Sequence, residues 1–179
     1  RQKSLPNKPV PEICLLDPDG DIVRFLVSTN QARKDPSWAC YHTDLYIFEH
    51  GGFQFGVVGC AVGASFAVLI AEEMFASNCQ LLVSITSAGQ ITATRTPPYF
   101  ILIDKALRDE GTSYHYLPPS DYSNINAGLL TRLTNSLIAS SIPITIGATW
   151  TTDAPFRETE TAIDHSRTLG ILAVEMEAS

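Results

Sequence analysis

The sequence has few of the basic residues that mark proteins binding nucleic acid or acidic membranes. Of its 179 residues only 12 are Lys or Arg, against 19 Asp or Glu, and the formal net charge is −7. The basic residues are scattered rather than gathered into a stripe. The sequence therefore predicts a small neutral or modestly charged ligand, with no nucleic-acid partner and no membrane partner.

Cysteine is also scarce, and its spacing indicates neither a disulfide framework nor a metal site. Cys14, Cys40, Cys60 and Cys79 lie far apart, mostly in apolar surroundings, and they form no CxxC pair. The four histidines of the chain lack metal-ligand spacing. We expect reduced, buried thiols, a cytoplasmic location and no bound metal.

No apolar run is both long and uninterrupted enough to predict a membrane span. Residues 53–71 contain 19 positions without a charge, close to the roughly 20 that a bilayer requires. However, Gly56, Gly59 and Gly63 interrupt this run, which favours a strand, a turn and then a buried helix. The N-terminal residues show no cleavage-type signal.

Hydrophobic periodicity predicts an α/β fold with a single mixed sheet flanked by helices. We expect one domain over residues 12–179, after a flexible lead-in at residues 1–11. Gly51 and Gly52 predict a hairpin, and Asn78 predicts the end of a helix in the left-handed conformation. Strands are expected at residues 12–16, 45–49, 53–58, 81–86, 99–104, 142–148 and 171–174. Helices are expected at residues 64–76, 126–140 and 158–169.

Segments that follow predicted strands carry the candidate functional residues, because α/β sheets bind ligands at the carboxyl ends of their strands. Gly59 and Gly63 frame a turn whose N–H groups and following helix could hold an anion. The spacing matches neither GxGxxG nor a Walker loop. Glycines that serve only a tight turn are an equal alternative.

Two further strand ends offer polar or aromatic groups. Ser87 and Gly89 combine a hydroxyl with unobstructed amides, although close packing is an equal alternative. Asp153, Phe156 and Arg157 supply an acid, a ring and a guanidinium, and the ring could stack on a flat heterocycle. A helix N-cap by Asp153 and a core position for Phe156 are just as compatible with this pattern.

The chain ends on Glu175, Met176 and Glu177, directly after an apolar run. A carboxylate accepts hydrogen bonds from both hydroxyls of a cis-diol such as ribose, and bonds to a charged acceptor contribute about 1.5 to 3 kcal/mol each. At a strand-to-helix bend only one of the two glutamates needs to face a pocket. Solvated glutamates are the alternative.

These segments, in this order, resemble the nucleoside phosphorylase and nucleosidase family, which contains uridine phosphorylase, hexameric purine nucleoside phosphorylase and methylthioadenosine nucleosidase. The resemblance covers roughly residues 12–179 and is most specific at Val-Glu-Met-Glu-Ala, residues 174–178. That stretch is similar to the family's ribose-binding strand end. The other similar segments are the glycine-rich turn at 58–63, the small-residue turn at 87–89, and residues 109–113 and 151–153.

The resemblance implies a role for each candidate residue. Glu177, the catalytic candidate, accepts the ribose 2′- and 3′-hydroxyls as a positioning group rather than a proton donor. Met176 packs on the sugar, Glu175 supports it, and Phe156 or the residue before it covers the base. The remaining substrate candidates are Ser87, Gly89, Asp153 and Arg157, and the phosphate candidates are Gly59, Gly63, Ser87 and Arg24.

The chain also departs from the family pattern. Residues 15–20 replace the usual Pro-Gly-Asp phosphate loop, Ser84 stands where an arginine is usual, and no arginine lies near Tyr41 and His42 for a neighbouring subunit to use. Fewer arginines predict weaker phosphate binding. Family members continue beyond the Glu-Met-Glu-Ala stretch, so the chain resembles a member whose C-terminal part is missing.

The expected function is cleavage of a nucleoside's N-glycosidic bond through an oxocarbenium-like ribosyl group, by phosphorolysis or by hydrolysis. Inorganic phosphate is then a co-substrate only in the first case, and no other cofactor is expected. The resemblance also implies a homo-oligomer. The alternative is a nucleoside-binding or assembly protein without turnover. The sequence contains no GxSxG and no HExxH motif, and it does not distinguish purine from pyrimidine substrates.

Overall fold

The computed structural model describes residues 9–38, 40 and 42–179. The chain divides into two compact units, Arg1–Ser87 and Ala88–Ser179. Each unit contains one five-stranded mixed sheet with helices. The predicted α/β class with mixed strand pairing is confirmed, but its strands form two sheets rather than one because β5 and β6, defined below, pair within different units.

The first unit is built around a parallel core with an antiparallel hairpin beside it. Its strand order is β2-β3-β4-β1-β5, with β1 parallel to both β4 and β5. The elements are β1 (Ile13–Asp17), α1 (Asp21–Ser28), β2 (Ala32–Lys34), β3 (Leu45–His50), β4 (Phe53–Gly59), α2 (Ala64–Ala76) and β5 (Leu81–Ser84).

Local sequence explains the hairpin and helix α2. Gly51 and Gly52 have φ values of 59° and 81°, a backbone region that suits two-residue hairpin loops and favours glycine. Helix α2 packs Ile70 and Met74 into the core of the unit. Asn78 follows its end with a φ of 84°. The predicted hairpin and the predicted helix over residues 64–76 are both confirmed.

Helix α1 was not predicted from the sequence. It begins after Gly20, whose φ is 75°, and only Leu26 among its residues is buried. Asp17 caps the start of α1, although the N-cap residue is Gly20. Asp17 accepts hydrogen bonds from the backbone N–H groups of Gly20 and Val23. At eight residues α1 is shorter than most helices, and it directly follows the Asp-Pro-Asp-Gly turn at residues 17–20, so the local signals there indicated a turn rather than a helix.

The second unit has the strand order β6-β10-β9-β7-β8. Strand β9 runs parallel to β7 and β10, whereas β6 and β8 are antiparallel edge strands. Trp150, Ile171 and Val174 form the centre of its core. The elements are β6 (Gly89–Gln90), β7 (Phe100–Asp109), β8 (Tyr122–Asn124), α3 (Ala127–Ile138), β9 (Ile144–Thr152), α4 (Glu160–Thr168) and β10 (Ala173–Glu175).

The predicted lead-in falls only partly within the described residues. Residues 1–8 lie outside them, whereas Val10 is buried and its N–H donates to the Ser77 carbonyl at 2.8 Å. The end of the predicted flexible segment is therefore packed against the first unit. The proposed domain over residues 12–179 stays a prediction.

The cysteines differ from the expectation at one position. Cys14, Cys40 and Cys79 are buried free thiols, as predicted, but Cys60 is exposed. Cys60 lies just beyond β4 with a φ of 62°, at a turn where the chain leaves the sheet. Burial, together with the neighbouring Cys79, raises the pKa of the Cys14 thiol to about 12.

Candidate active site

The end of strand β10 is held by the carboxylate of Glu175, the last residue of that strand. Glu175 is 4% exposed and pairs in register with Thr151 of β9. Its Oε1 accepts hydrogen bonds from the hydroxyls of Thr149 at 3.0 Å and Thr151 at 2.5 Å. The sheet therefore supplies two donors to this buried carboxylate.

The other oxygen of Glu175 fixes the chain that follows the strand. Its Oε2 accepts from the backbone N–H groups of Glu177 and Ala178, both at 2.7 Å. Hydrogen bonds to a charged acceptor are shorter and stronger than neutral ones. With four donors around it, Glu175 is fully occupied within the protein. The supporting role that the resemblance implies for Glu175 stays a prediction.

Met176 and Glu177 are both half-buried. The N–H of Glu177 donates to Glu175, so the backbone at Glu177 is held by a buried side chain. Of the two glutamates, Glu177 is the more exposed residue. A partly exposed carboxylate on a fixed backbone is suited to accept hydroxyl groups from a ligand.

The loop after β9 places one predicted residue in solvent and uses another as an anchor. Phe156 is 98% exposed within a short 3-10 turn, so the alternative of a core position is wrong. Asp153 accepts a hydrogen bond from the Gly111 N–H at 3.2 Å. The N-cap of α4 is Thr159, so the alternative of a helix N-cap by Asp153 is wrong as well.

A buried polar network lies beside this loop, and the sequence analysis did not assign its members a role. Arg108 donates from Nε to the Ser113 hydroxyl at 2.7 Å, and its guanidinium lies 4.1 Å from the centre of the Tyr114 ring. The Ser113 hydroxyl in turn donates to Glu110. The only sequence signal for this network was the position of residues 109–113 between the other matched segments.

Glu110 is 7% exposed and carries a shifted pKa. Burial by itself raises the pKa of Glu110, but the hydrogen bonds donated by Ser113 and by the backbone of Thr112 outweigh it. The pKa of Glu110 therefore lies below the usual value for a glutamate. The ionised carboxylate is the form that orders this loop.

In the first unit, the Ser87 turn is already occupied by a carboxylate. The backbone N–H and the hydroxyl of Ser87 donate to Asp19 at 2.6 and 3.0 Å. Asp19 lies on the loop between β1 and α1, residues 18–20, hereafter the β1–α1 loop. Asp19 was not among the residues singled out from the sequence, because 68 positions separate it from Ser87.

The remaining phosphate candidates of this unit are Gly59, Arg24 and Gly63. A Cβ on Gly59 would lie 3.0 Å from a methyl of Val23 and 3.2 Å from the Gly20 Cα, so Gly59 permits close packing of α1. Arg24 is exposed and forms an ion pair with Asp21. Gly63 is the N-cap residue of α2, with a φ of 91° and no side-chain cap.

Gly89 belongs to the second unit rather than to the Ser87 turn. It lies in β6 opposite Val174 of β10, and a Cβ there would approach a Val174 methyl at 3.0 Å. Close packing therefore accounts for this glycine. The candidates divide between the units: Gly59, Gly63, Arg24 and Ser87 in the first, and Gly89, Asp153, Phe156, Arg157, Glu175, Met176 and Glu177 in the second.

Two absences apply to residues 9–38, 40 and 42–179. No group of three or more His, Cys, Asp or Glu side chains there is arranged to hold a metal ion. No helix in the same part of the chain is long and apolar enough to cross a membrane.

These features define an α/β protein whose polar groups gather at the ends of parallel strands. The chain belongs to the phosphorylase superfamily, whose family profile matches residues 12–179. No curated protein matches the chain in sequence.

Solved structures give the same fold. The chain is similar to uridine phosphorylase from Vibrio fischeri ES114, with a TM-score of 0.76 and 18% identity over 98% of this chain and 72% of that one. A structure of the same enzyme with 6-hydroxy-1-naphthoic acid gives a TM-score of 0.77 at 18% identity, over 98% of this chain and 70% of that one. At this identity the likeness concerns the fold alone.

Proposed function

We propose that the protein cleaves the N-glycosidic bond of a nucleoside and holds the ribose through Glu177 and Met176. Membership of the phosphorylase superfamily supports this class of reaction. The observation that carries the proposal is the pair of 2.7 Å hydrogen bonds from the N–H groups of Glu177 and Ala178 to Glu175. They hold the backbone of the ribose-binding candidate in one place.

In the proposed mechanism, Glu177 accepts the 2′- and 3′-hydroxyls of the ribose. Anchoring both hydroxyls restricts the sugar and lets binding energy orient C1′ toward the incoming nucleophile. The C1′–N bond then breaks through an oxocarbenium-like ribosyl group. Met176 supplies an apolar surface for the sugar, and Glu175 keeps the backbone of both residues fixed without touching the substrate.

The base would meet the loop after β9. Phe156 is almost fully exposed there, so its ring is available to cover a flat heterocycle. The hydrogen bond between Asp153 and the Gly111 N–H restrains the start of this loop. Arg157, two positions before the N-cap of α4, is the remaining polar candidate for the base. A homo-oligomer in which a neighbouring subunit completes the pocket belongs to the same proposal.

The proposal is tested by replacing Glu177 with Gln and following free base released from a panel of nucleosides. Losing hydrogen bonds to a charged acceptor should cost about 2 to 4 kcal/mol of transition-state binding, a fall of about 30- to 1000-fold in kcat/KM. Glu160→Gln is the matched control, because Glu160 is an exposed residue of α4. An unchanged kcat/KM in a folded Glu177→Gln protein contradicts the role of Glu177.

A second candidate function is nucleoside binding without turnover. The occupied Ser87 turn and the Arg24–Asp21 ion pair favour it, because both engage groups that the resemblance assigns to phosphate. Calorimetry separates the two functions. Nucleoside affinity without any product after prolonged incubation supports a binding protein, whereas release of free base supports the enzyme.

A further inference from the structure

Three aspartates of the first unit each accept hydrogen bonds from nearby N–H or O–H groups or pair with a cation. They are Asp17 at the end of β1, Asp19 on the β1–α1 loop and Asp21 at the start of α1. The backbone of the same region also contacts the glycine turn after β4, because the Cys60 N–H donates to the Asp17 carbonyl at 3.0 Å. This region therefore touches both turns that the sequence assigned to phosphate.

The contact between Asp19 and Ser87 is the most direct of the three. Both donors of Ser87 are engaged, the N–H with Oδ2 at 2.6 Å and the hydroxyl with Oδ1 at 3.0 Å. A carboxylate bound at two points in this way uses the same donor pair as one edge of a phosphate. Asp19 is half-buried, so its position is restrained by the loop that carries it.

The other two aspartates engage the neighbouring donors. Asp17 is 2% exposed and accepts from the N–H groups of Gly20 at 3.1 Å and Val23 at 2.9 Å. Gly20 is the N-cap residue of α1 and Val23 lies in its first turn, and the N–H groups at the start of a helix are where an anion would be attracted. Asp21 pairs with Arg24, the cation closest in sequence to this loop. Each of these carboxylates neutralises a donor or a cation within the unit.

A phosphate ion could bind at the Ser87 turn only by displacing Asp19. The displaced carboxylate would lose two charge-assisted hydrogen bonds, and its charge would remain on the β1–α1 loop. Repulsion between like charges and the loss of those bonds both oppose binding. A neutral molecule such as water meets no such repulsion.

We propose that Asp19 excludes phosphate and other oxyanions from the Ser87 turn, so that the nucleophile of this protein is water. The assignment of Asp19 as a specificity-determining residue rests on the proposed glycosidic cleavage. In the reaction, the water oxygen bonds to C1′ and the C1′–N bond breaks, its electron pair leaving with the base. One proton of the water ends on the base, and the products are the free base and the free sugar.

Two variants of Asp19 test this assignment. Asp19→Ala frees both Ser87 donors, and Asp19→Asn removes the charge while keeping the shape of the side chain. Glu49→Ala is the matched control, because Glu49 is an exposed residue of β3 and its loss changes the net charge equally. Thermal unfolding of all four proteins identifies any variant that has lost its fold.

The first measurement is phosphate binding, followed by calorimetry with inorganic phosphate alone. Asp19→Ala and Asp19→Asn should each bind phosphate at least about tenfold more tightly than the unaltered protein, and Glu49→Ala should resemble the unaltered protein. Equal phosphate affinity in the unaltered protein and in both Asp19 variants overturns the assignment. This measurement does not depend on turnover.

The second measurement is the reaction itself, with and without phosphate. We expect the unaltered protein to release base in phosphate-free buffer, to yield free sugar, and to be insensitive to added phosphate. Strict phosphate dependence with a sugar 1-phosphate as product overturns the inference about Asp19 and leaves glycosidic cleavage standing. Absence of base release from every nucleoside contradicts the proposed function instead, and the affinity comparison then decides the role of Asp19.

Discussion

The β10 strand end and the β1–α1 loop both use carboxylates to bind backbone N–H groups, with opposite consequences. At β10, Glu175 engages the donors of its own chain end, and this fixes the backbone that carries a second carboxylate, Glu177. At the β1–α1 loop, Asp19 engages the donors of a distant turn, so that the Ser87 N–H and hydroxyl are no longer available to a ligand.

In the functions proposed here, a well-satisfied carboxylate builds a binding site in one region and closes one in the other. The two regions differ in which donor groups the carboxylate engages. Glu175 has two threonine hydroxyls and two N–H groups around it and leaves Glu177 half-buried at the strand end. Asp19 accepts hydrogen bonds from both Ser87 donors. Under the two proposals above, the first region accepts a polyhydroxyl ligand and the second disfavours an anion.

The largest effect on stability is expected for Glu175→Ala. The substitution leaves two threonine hydroxyls and two N–H groups without their acceptor, inside a site where Glu175 is 4% exposed. Unsatisfied buried donors are costly, and the free energy of unfolding should fall by about 2 to 5 kcal/mol. Urea unfolding measures it, with Glu160→Ala as the exposed control. A change no larger than that of the control removes Glu175 from its anchoring role.

A smaller effect is expected for Asp17→Ala in the first unit. Asp17 caps helix α1 through the N–H groups of Gly20 and Val23. Loss of a helix cap lowers the free energy of unfolding by about 1 to 2 kcal/mol. Equilibrium urea unfolding tests the value. Hydrogen exchange at the amide of Val23 should also accelerate, and an unchanged exchange rate there would show that the cap does not form.

Glu110 is expected to make the stability of the protein depend on pH. Because the pKa of Glu110 is lowered on folding, its ionised form contributes stability that is present above the unfolded glutamate pKa of about 4.3. That contribution is lost as the pH falls through the lower folded pKa. The difference in unfolding free energy between the unaltered protein and Glu110→Gln should therefore shrink as the pH is lowered from neutral toward that range. A difference that stays constant with pH contradicts this account.

The smallest effect on stability is expected for Phe156→Ala. The ring is 98% exposed, so its removal should change the free energy of unfolding by no more than about 0.5 kcal/mol. If the ring covers the base, KM for the nucleoside should nevertheless rise. Steady-state kinetics checks this, and an unchanged KM with unchanged stability would exclude the loop after β9 from base binding.

Local sequence patterns were sufficient for some elements and not for others. Gly51, Gly52 and Asn78 require unusual backbone angles, and an apolar segment of helical length joins the glycine turn to Asn78, so the hairpin and α2 followed from short stretches. Helix α1 was missed because it buries only Leu26 and is capped by a residue four positions before its first helical residue. The single sheet expected from alternating strands became two because periodicity does not reveal which strands pair.

The site shows the same division between local and long-range information. The Glu-Met-Glu stretch was recognisable because its three residues are adjacent, and the geometry adds which glutamate is buried. The Asp19–Ser87 contact joins residues 68 positions apart. Its existence depends on the parallel pairing of β1 with β5, which brings the ends of these two strands together. No pattern within either segment indicates that contact.

The most direct test of the ribose-binding role of Glu177 compares a ribonucleoside with its 2′,3′-dideoxy analogue in the unaltered protein and in Glu177→Gln. If Glu177 accepts both hydroxyls, removing them should lower kcat/KM at least about tenfold more in the unaltered protein than in the variant, because the variant has already lost that interaction. An equal fall in kcat/KM in the two proteins would contradict the proposal that Glu177 holds the ribose.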